Sequence, residues 1–242
     1  MNNISFDGNT AWFVAPTNRY GSSRVSVQDI TTKNFSFLAR VSVDWDKMIP
    51  GTNTQQGGII MKNGRHSGIS VSKHPGGWKF ISATIWVENP IEGESSQRVF
   101  DIHLNTETMA NTDIFEIGMT VDIETKIISL YCNDTLHSVT YEGEIIDYSN
   151  SWLWVGCGNI LDSCAPEFKS LFHGEISYAG IYSKALKKKE IDEIFNDTTN
   201  TISKYQPVCA FDFDLKTPYK SFDITDNGNH LVKFDEQWMS LY

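Results

Sequence analysis

The chain has 242 residues, with 30 acidic against 20 basic side chains and a formal charge of −10. Apolar residues make up 40% and aromatics 12%, enough to bury a sizeable core and too much for a disordered chain. The acidic balance removes the counterion-release term that drives binding to phosphate backbones, so no nucleic-acid partner is expected. The longest apolar runs are strand-sized, far short of the roughly 20 residues a bilayer-crossing helix needs, so no membrane span is expected either.

From the start, MNNISFDGNTAWF lacks a basic n-region and a continuous apolar run, so an ordinary secretory signal is not expected. At 35–43 Phe35, Phe37, Ala39, Val41 and Val43 alternate with polar neighbours until turn chemistry arrives at Pro50-Gly51, which is the period-two pattern of a half-buried strand. Similar runs follow at 57–62, 67–72, 77–87, 98–104, 114–123, 126–132, 152–156, 172–182 and 208–215, each bounded by Gly, Asn, Asp or Pro. One segment has helical spacing: Leu186, Glu190, Ile191, Ile194 and Phe195 recur at three- and four-residue intervals, predicting a short helix near 187–195.

The pattern predicts an all-β fold, a two-sheet antiparallel β-sandwich of jelly-roll type with one short helix. No repeat or low-complexity linker divides the chain, so residues 1–242 are expected to form a single domain. The polar stretch 196–206 is the best boundary, and 207–242, too short to hold a core alone, reads as a returning C-terminal strand and a tail carrying Trp238. Cys132, Cys157, Cys164 and Cys209 show no CxxC or finger-like spacing, which argues against zinc; Cys157 and Cys164 could close a small loop, and buried thiols are the simpler expectation.

At 172–194, FHGEISYAGIYSKALKKKEIDEI resembles the closing signature of laminin-G-like domains in the concanavalin A-like lectin/glucanase superfamily, through Phe172, Gly174, Ile176, Ile181, Tyr182, Ala185, Leu186, Glu190 and Ile191. The hairpin around Asn133-Asp134, the strand WLWVGCGN and the early strand FSFLARVSVDW are similar to the family's in the same order. Asp113-Ile114-Phe115 stands where the family's Trp-His pair is usual. The resemblance implies a jelly roll and a lectin-like or adhesive use.

Glucanases of that superfamily project carboxylates from a Glu-X-Asp-X-X-Glu strand. No such triplet occurs here, and Asp122 and Glu124 lack a second acid at suitable spacing. No Gly-X-Ser-X-Gly elbow or phosphate-binding glycine loop is present. The Asp- and Asn-rich loop at 223–229 makes Asp223, Asp226 and Asn227 weak candidates for a calcium ion, against the alternative of a turn whose side chains cap backbone amides.

Strand parity sorts side chains into two faces. Ile81, Ala83, Ile85 and Val87 read as core, as do Phe100, Ile102, Leu104, Phe115, Ile117, Met119 and Val121. If these strands are neighbours, the other face collects Trp86, Asp101, His103, Glu116 and Tyr131, an aromatic platform beside hydrogen-bonding groups that suits a sugar. The turn at 73–78 offers His74 and Trp78 at a rim. The competing reading is an ordinary outer sheet face. The expected function is noncatalytic binding of a glycan or glycosylated surface through the concave sheet face. A virion-surface setting (phage decoration, fibre or receptor-binding component, with other virion proteins as partners) is the favoured context, inferred from the export route. A secreted glycan-binding module, a glycoside hydrolase and a purely structural assembly protein are the alternatives.

Overall fold

The computed structural model describes residues 4–7, 11–14, 33–48, 55–62, 67–88, 97–108, 114–146, 153–159, 169–213, 220–221, 223–225, 227, 229 and 231–234. Two antiparallel sheets dominate them. The first runs, in spatial order, through β1 (Ile4–Asp7), β14 (His173–Tyr182), β3 (Phe35–Val43), β8 (Ile114–Asp122), β9 (Ile127–Cys132) and β10 (Thr135–Thr140). Strand β15 (Cys209–Asp212) continues the edge that β1 begins, pairing with the second half of β14 while β1 pairs with the first. The second sheet runs β16 (Lys220–Ser221), β17 (Leu231–Phe234), β2 (Ala11–Val14), β11 (Leu153–Val155), β4 (Gln55–Lys62), β5 (Ser67–Lys73), β6 (Lys79–Glu88) and β7 (Gln97–Asn105). A small ribbon pairs β12 (Cys157–Asn159) with β13 (Lys169–Leu171).

Between the two sheets lies one continuous core. Phe35, Phe37, Ala39, Val41, Ile117, Met119 and Val121 face it from the first sheet, and Ile69, Val71, Ile81, Ala83, Ile85 and Ile102 from the second. All are odd-numbered except Ile102 of β7, and each belongs to the set that alternation within its own strand assigns to the interior, so the all-β sandwich and the in-or-out parity follow directly from the sequence pattern. Gly156, at φ +80°, sits against the ring of Phe6: a Cβ there would lie 2.0 Å from a ring carbon, so only glycine lets β1 close on the sandwich.

The outer face of the first sheet carries a second apolar cluster. Leu38, Tyr131, Tyr178, Tyr182 and Ala210 pack under Leu186, Ile191, Ile194 and Phe195 of α1 (Lys188–Asn196) and its lead-in. Burying those four helix-side residues contributes roughly 2 kcal/mol each. Ser36 pins the lead-in, its buried hydroxyl donating to the Lys184 carbonyl at 2.8 Å and accepting the Leu186 N–H at 2.9 Å. At the helix start the Glu190 carboxylate accepts the Lys187 N–H at 2.8 Å, satisfying one of the otherwise unpaired donors.

A second short helix, α2 (Thr198–Tyr205), follows where the polar stretch 196–206 suggested a boundary. Asp197 accepts the Asn200 N–H, and the Tyr205 hydroxyl donates to Glu193 at 2.5 Å, tying α2 to α1. Beyond it the chain returns to both sheets through β15 and through β16 and β17. Trp238 and Cys164 lie outside the described residues. Among the described residues no helix is long and apolar enough to cross a membrane.

Candidate functional site

The five residues expected on one shelf are divided between two. β6 and β7 belong to the second sheet and β8 and β9 to the first, so the chain changes sheets between β7 and β8. Parity told inside from outside correctly; the outsides are opposite surfaces of the sandwich. Glu116 and Tyr131 therefore do not join Trp86, Asp101 and His103, and the single shared face is corrected to two.

On the first sheet both residues serve the helix. Glu116 lies directly opposite Arg40, whose Nε and Nη2 donate to Glu116 Oε1 at 3.0 and 2.7 Å. Arg40 also donates to the Phe195 carbonyl and lies 5.4 Å from the centre of the Phe195 ring. The Tyr131 hydroxyl donates to Asp192 at 2.6 Å, and the Lys188 ammonium lies 5.0 Å from the Tyr131 ring centre. Burial, with Asp192 beside it, pushes the Tyr131 phenol well above its ordinary pKa. Both side chains are occupied in holding α1 down.

The outer face of the second sheet has a different chemistry. Across β6 and β7, Phe80 lies opposite Asn105, Ser82 opposite His103, Thr84 opposite Asp101 and Trp86 opposite Val99. The Thr84 hydroxyl donates to Asp101 Oδ1 at 2.5 Å, and Ser82 Oγ is 2.7 Å from His103 Nδ1. Asp101, His103 and Val99 are exposed and Trp86 is half-buried. Cross-strand partners thus fix the two ionisable groups while leaving their outward edges to solvent.

Turn 74–78, joining β5 to β6, extends this face. It is closed by His74 N–H to the Trp78 carbonyl at 2.9 Å and Gly77 N–H to the His74 carbonyl at 2.8 Å. The rings of His74, Phe80 and His103 stand edge to face in series, with centroids 5.1 and 6.1 Å apart. Trp78 is 57% exposed, and its indole lies over Gly76, within 3.9 Å of where a Cβ on that residue would stand. One face of the Trp78 ring thus rests on the turn while the side chain stays open to solvent. Ser82, Thr84 and Phe80 complete the platform. The sequence contained them as the non-core half of the same alternation, but nothing in their identity marked them as partners of Asp101 and His103.

Of the weak cation candidates, Asp223 and Asn227 are engaged in capping backbone groups of a turn. Asp223 is buried; its Oδ1 accepts from Ala210 N–H, Thr225 N–H and Thr225 Oγ1 at 3.1, 3.0 and 2.7 Å, and its Oδ2 from Asn229 N–H at 2.9 Å. Asn227 Nδ2 donates to the Pro207 and Val208 carbonyls. Asp226 lies outside the described residues, and among those described no cluster of three or more His, Cys, Asp or Glu is arranged for a metal. Cys132, Cys157 and Cys209 are buried; burial pushes the Cys132 thiol up to about 12 and that of Cys209 well above its ordinary value.

No protein-family profile matches the chain, and no curated protein sequence matches it. Solved structures do. A Bacteroides ovatus protein described as a candidate carbohydrate-binding protein superposes with a TM-score of 0.56 at 12% identity, over 95% of this chain and 58% of that one. The present chain thus spans little more than half that protein's length. The CBM40 domain of the Ruminococcus gnavus IT-sialidase superposes with a TM-score of 0.52 at 11% identity, over 80% of this chain and 96% of the domain, both alone and bound to α2,3 sialyllactose. Identities this low carry the fold and nothing finer: the chain shares the two-sheet β-sandwich of these structures, and the laminin-G-like branch is not singled out.

Proposed function

We propose that the chain is a noncatalytic carbohydrate-binding module that takes its glycan on the outer face of the eight-stranded sheet. The observation that carries this reading is the asymmetry of the sandwich. One outer face is covered by α1, while the other presents Asp101 and His103, held by Thr84 and Ser82, with Trp86 beside them and Trp78 at the end of the sheet. A pyranose offers an apolar C–H face for an indole and hydroxyls for a carboxylate or imidazole, so it matches both halves of that surface. The Ruminococcus domain of the same fold is a sialyllactose binder, which makes the scaffold compatible with this use.

The noncatalytic part rests on carboxylate spacing. Alternation puts Glu88 on the same face as Asp101, but Glu88 pairs with Gln97 and Thr84 with Asp101. The two acids are thus four residues apart along the sheet, about 13 Å at ~3.3 Å per residue. Glycosidase pairs stand roughly 5–9.5 Å apart. The laminin-G-like kinship of residues 172–191 and a virion-surface setting belong to this proposal too, with a secreted module as the other setting; copurification with capsid or tail proteins separates the two.

A glycan array followed by tryptophan-fluorescence titration of the best hit tests the reading. Asp101→Ala and Trp78→Ala should each weaken binding about tenfold or more, the scale of one charge-assisted hydrogen bond or one stacking contact. Unchanged affinity in both variants would refute the face, and reducing-sugar release from the bound glycan would refute the noncatalytic part.

A further inference from the structure

Across the outer face of β6 and β7 run four rungs: Phe80 with Asn105, Ser82 with His103, Thr84 with Asp101 and Trp86 with Val99. Their members alternate with the core residues Ile81, Ala83, Ile85 and Ile102, so all four rungs stand on the surface away from the core. The chemistry changes along the strands. At one end the Phe80 ring is flanked edge to face by His74 and His103, and at the other Trp86 lies opposite Val99, which is 41% exposed. Between them stand the hydrogen-bonded pairs Ser82–His103 and Thr84–Asp101. On one flank of these middle rungs β5 supplies the small residues Ser70, opposite Ser82, and Gly68, opposite Thr84; on the other flank β7 ends the strand order. The middle is therefore low and polar, and both ends are bulkier and aromatic.

At ~3.3 Å per residue, the six steps from Phe80 to Trp86 cover about 20 Å. With bonds of ~1.5 Å, a pyranose spans about 5 Å between linkage oxygens on opposite sides of its ring, so one sugar fills no more than one rung. Reaching from one aromatic end to the other takes about four units joined in an extended line. We propose that this face takes a linear oligosaccharide, about four units long and lying parallel to β6 and β7, with its end units against Trp86 and the His74–Phe80 group and its central hydroxyls on His103 and Asp101. This rests on the carbohydrate-binding reading and specifies its ligand class: a stretch of glycan chain recognised by its length, in place of a single terminal sugar. The rings at the two ends offer apolar surface to C–H faces, and the exposed Asp101 and His103 meet the hydroxyls of the units between.

Calorimetric titration with cello-, manno- and chito-oligosaccharides, from the disaccharide to the hexasaccharide, reads the span, because all three are extended β-1,4 chains. In a series that binds, affinity should rise about tenfold or more from the disaccharide to the tetrasaccharide and then level off. Trp86→Ala and His74→Ala, at opposite ends, should each erase the gain from the last unit and lower tetrasaccharide affinity about tenfold. Circular dichroism confirms that each variant is folded, and the two ends check each other. A plateau already reached at the disaccharide, or a length dependence that both variants keep, would overturn the extended line. Disaccharide binding still lost in Asp101→Ala would then leave the platform reading standing. No binding in any of the three series would overturn the linear chain, and a glycan array that is also blank would overturn the platform with it.

Discussion

Replacing Glu116 by alanine separates the two outer faces of the sandwich. In the folded protein Glu116 accepts two hydrogen bonds from Arg40, and the side chains are 36% and 12% exposed respectively. A fully exposed pair is worth about 0–1 kcal/mol, and stripping one partner from a fully buried pair costs about 3–5 kcal/mol. Here solvent reaches the glutamate, and Arg40 retains the Phe195 carbonyl and ring. The loss should therefore be about 1–2 kcal/mol. At ~2.1 cal/mol/K per residue, a chain of this length has an unfolding entropy near ~0.5 kcal/mol/K, so the midpoint should fall by about 2–4 °C. Calorimetry reads that shift, and a fluorescence titration alongside should show glycan affinity unchanged, because Glu116 and the proposed site are on opposite surfaces. A Glu116→Ala protein with an unaltered midpoint and abolished binding would refute the assignment of faces.

Three further outcomes follow from the same structure. Gly118 lies beneath α1, where a Cβ would stand 3.0 Å from Leu38 Cδ2 and 3.1 Å from Ile191 Cδ1; Gly118→Ala should cost about 1–3 kcal/mol of overpacking, read in urea unfolding, and an unchanged midpoint would show that the helix gives way freely. Burial pushes Glu190 and Asp192 up, but bonds from Lys184 and the Lys187 N–H outweigh it at Glu190, and bonds from Tyr131 and Lys188 at Asp192, so both carboxyls are held below their ordinary values of 4.5 and 3.8. Folded values below the unfolded ones mean stability that is present above those ordinary values and lost as pH falls through the lower folded ones; Asp192→Asn should flatten that acid slope, and an identical slope would exclude its part. Buried Cys132 and Cys209 should resist a thiol reagent at pH about 8 until the protein unfolds, and prompt native labelling of either, located by peptide mass, would contradict their burial.

How much of this was legible in the sequence depends on the range of the interaction. Alternation is local, so Ile81, Ala83, Ile85, Ile117 and Met119 could be placed inside without knowing any strand's neighbour, and the spacing of Leu186, Ile191, Ile194 and Phe195 marked α1. Sheet membership is not local. Nothing in 98–123 marks the change of sheet, because a strand alternates in the same way whichever partner it has. Glu116 and Asp101 are both acids at non-core positions, and only pairing with Arg40 in one case and Thr84 in the other tells a structural clamp from a surface group. α2 escaped notice because TTNTISKY is a poor helix former; its support comes from Asp197 and Glu193, through contacts made after folding. The strands Ile4–Asp7 and Ala11–Val14 are too short for a period to register.

The most direct test of the account is a backbone amide chemical-shift titration with the best-binding glycan. Amides of Ser82, Thr84, Asp101, His103 and Trp78 should move together and saturate at one dissociation constant, while those of Arg40, Glu116 and Tyr131 stay still. Shifts centred on Glu116 and Tyr131, with the β6–β7 amides unmoved, would place the sugar on the wrong side of the sandwich and contradict it.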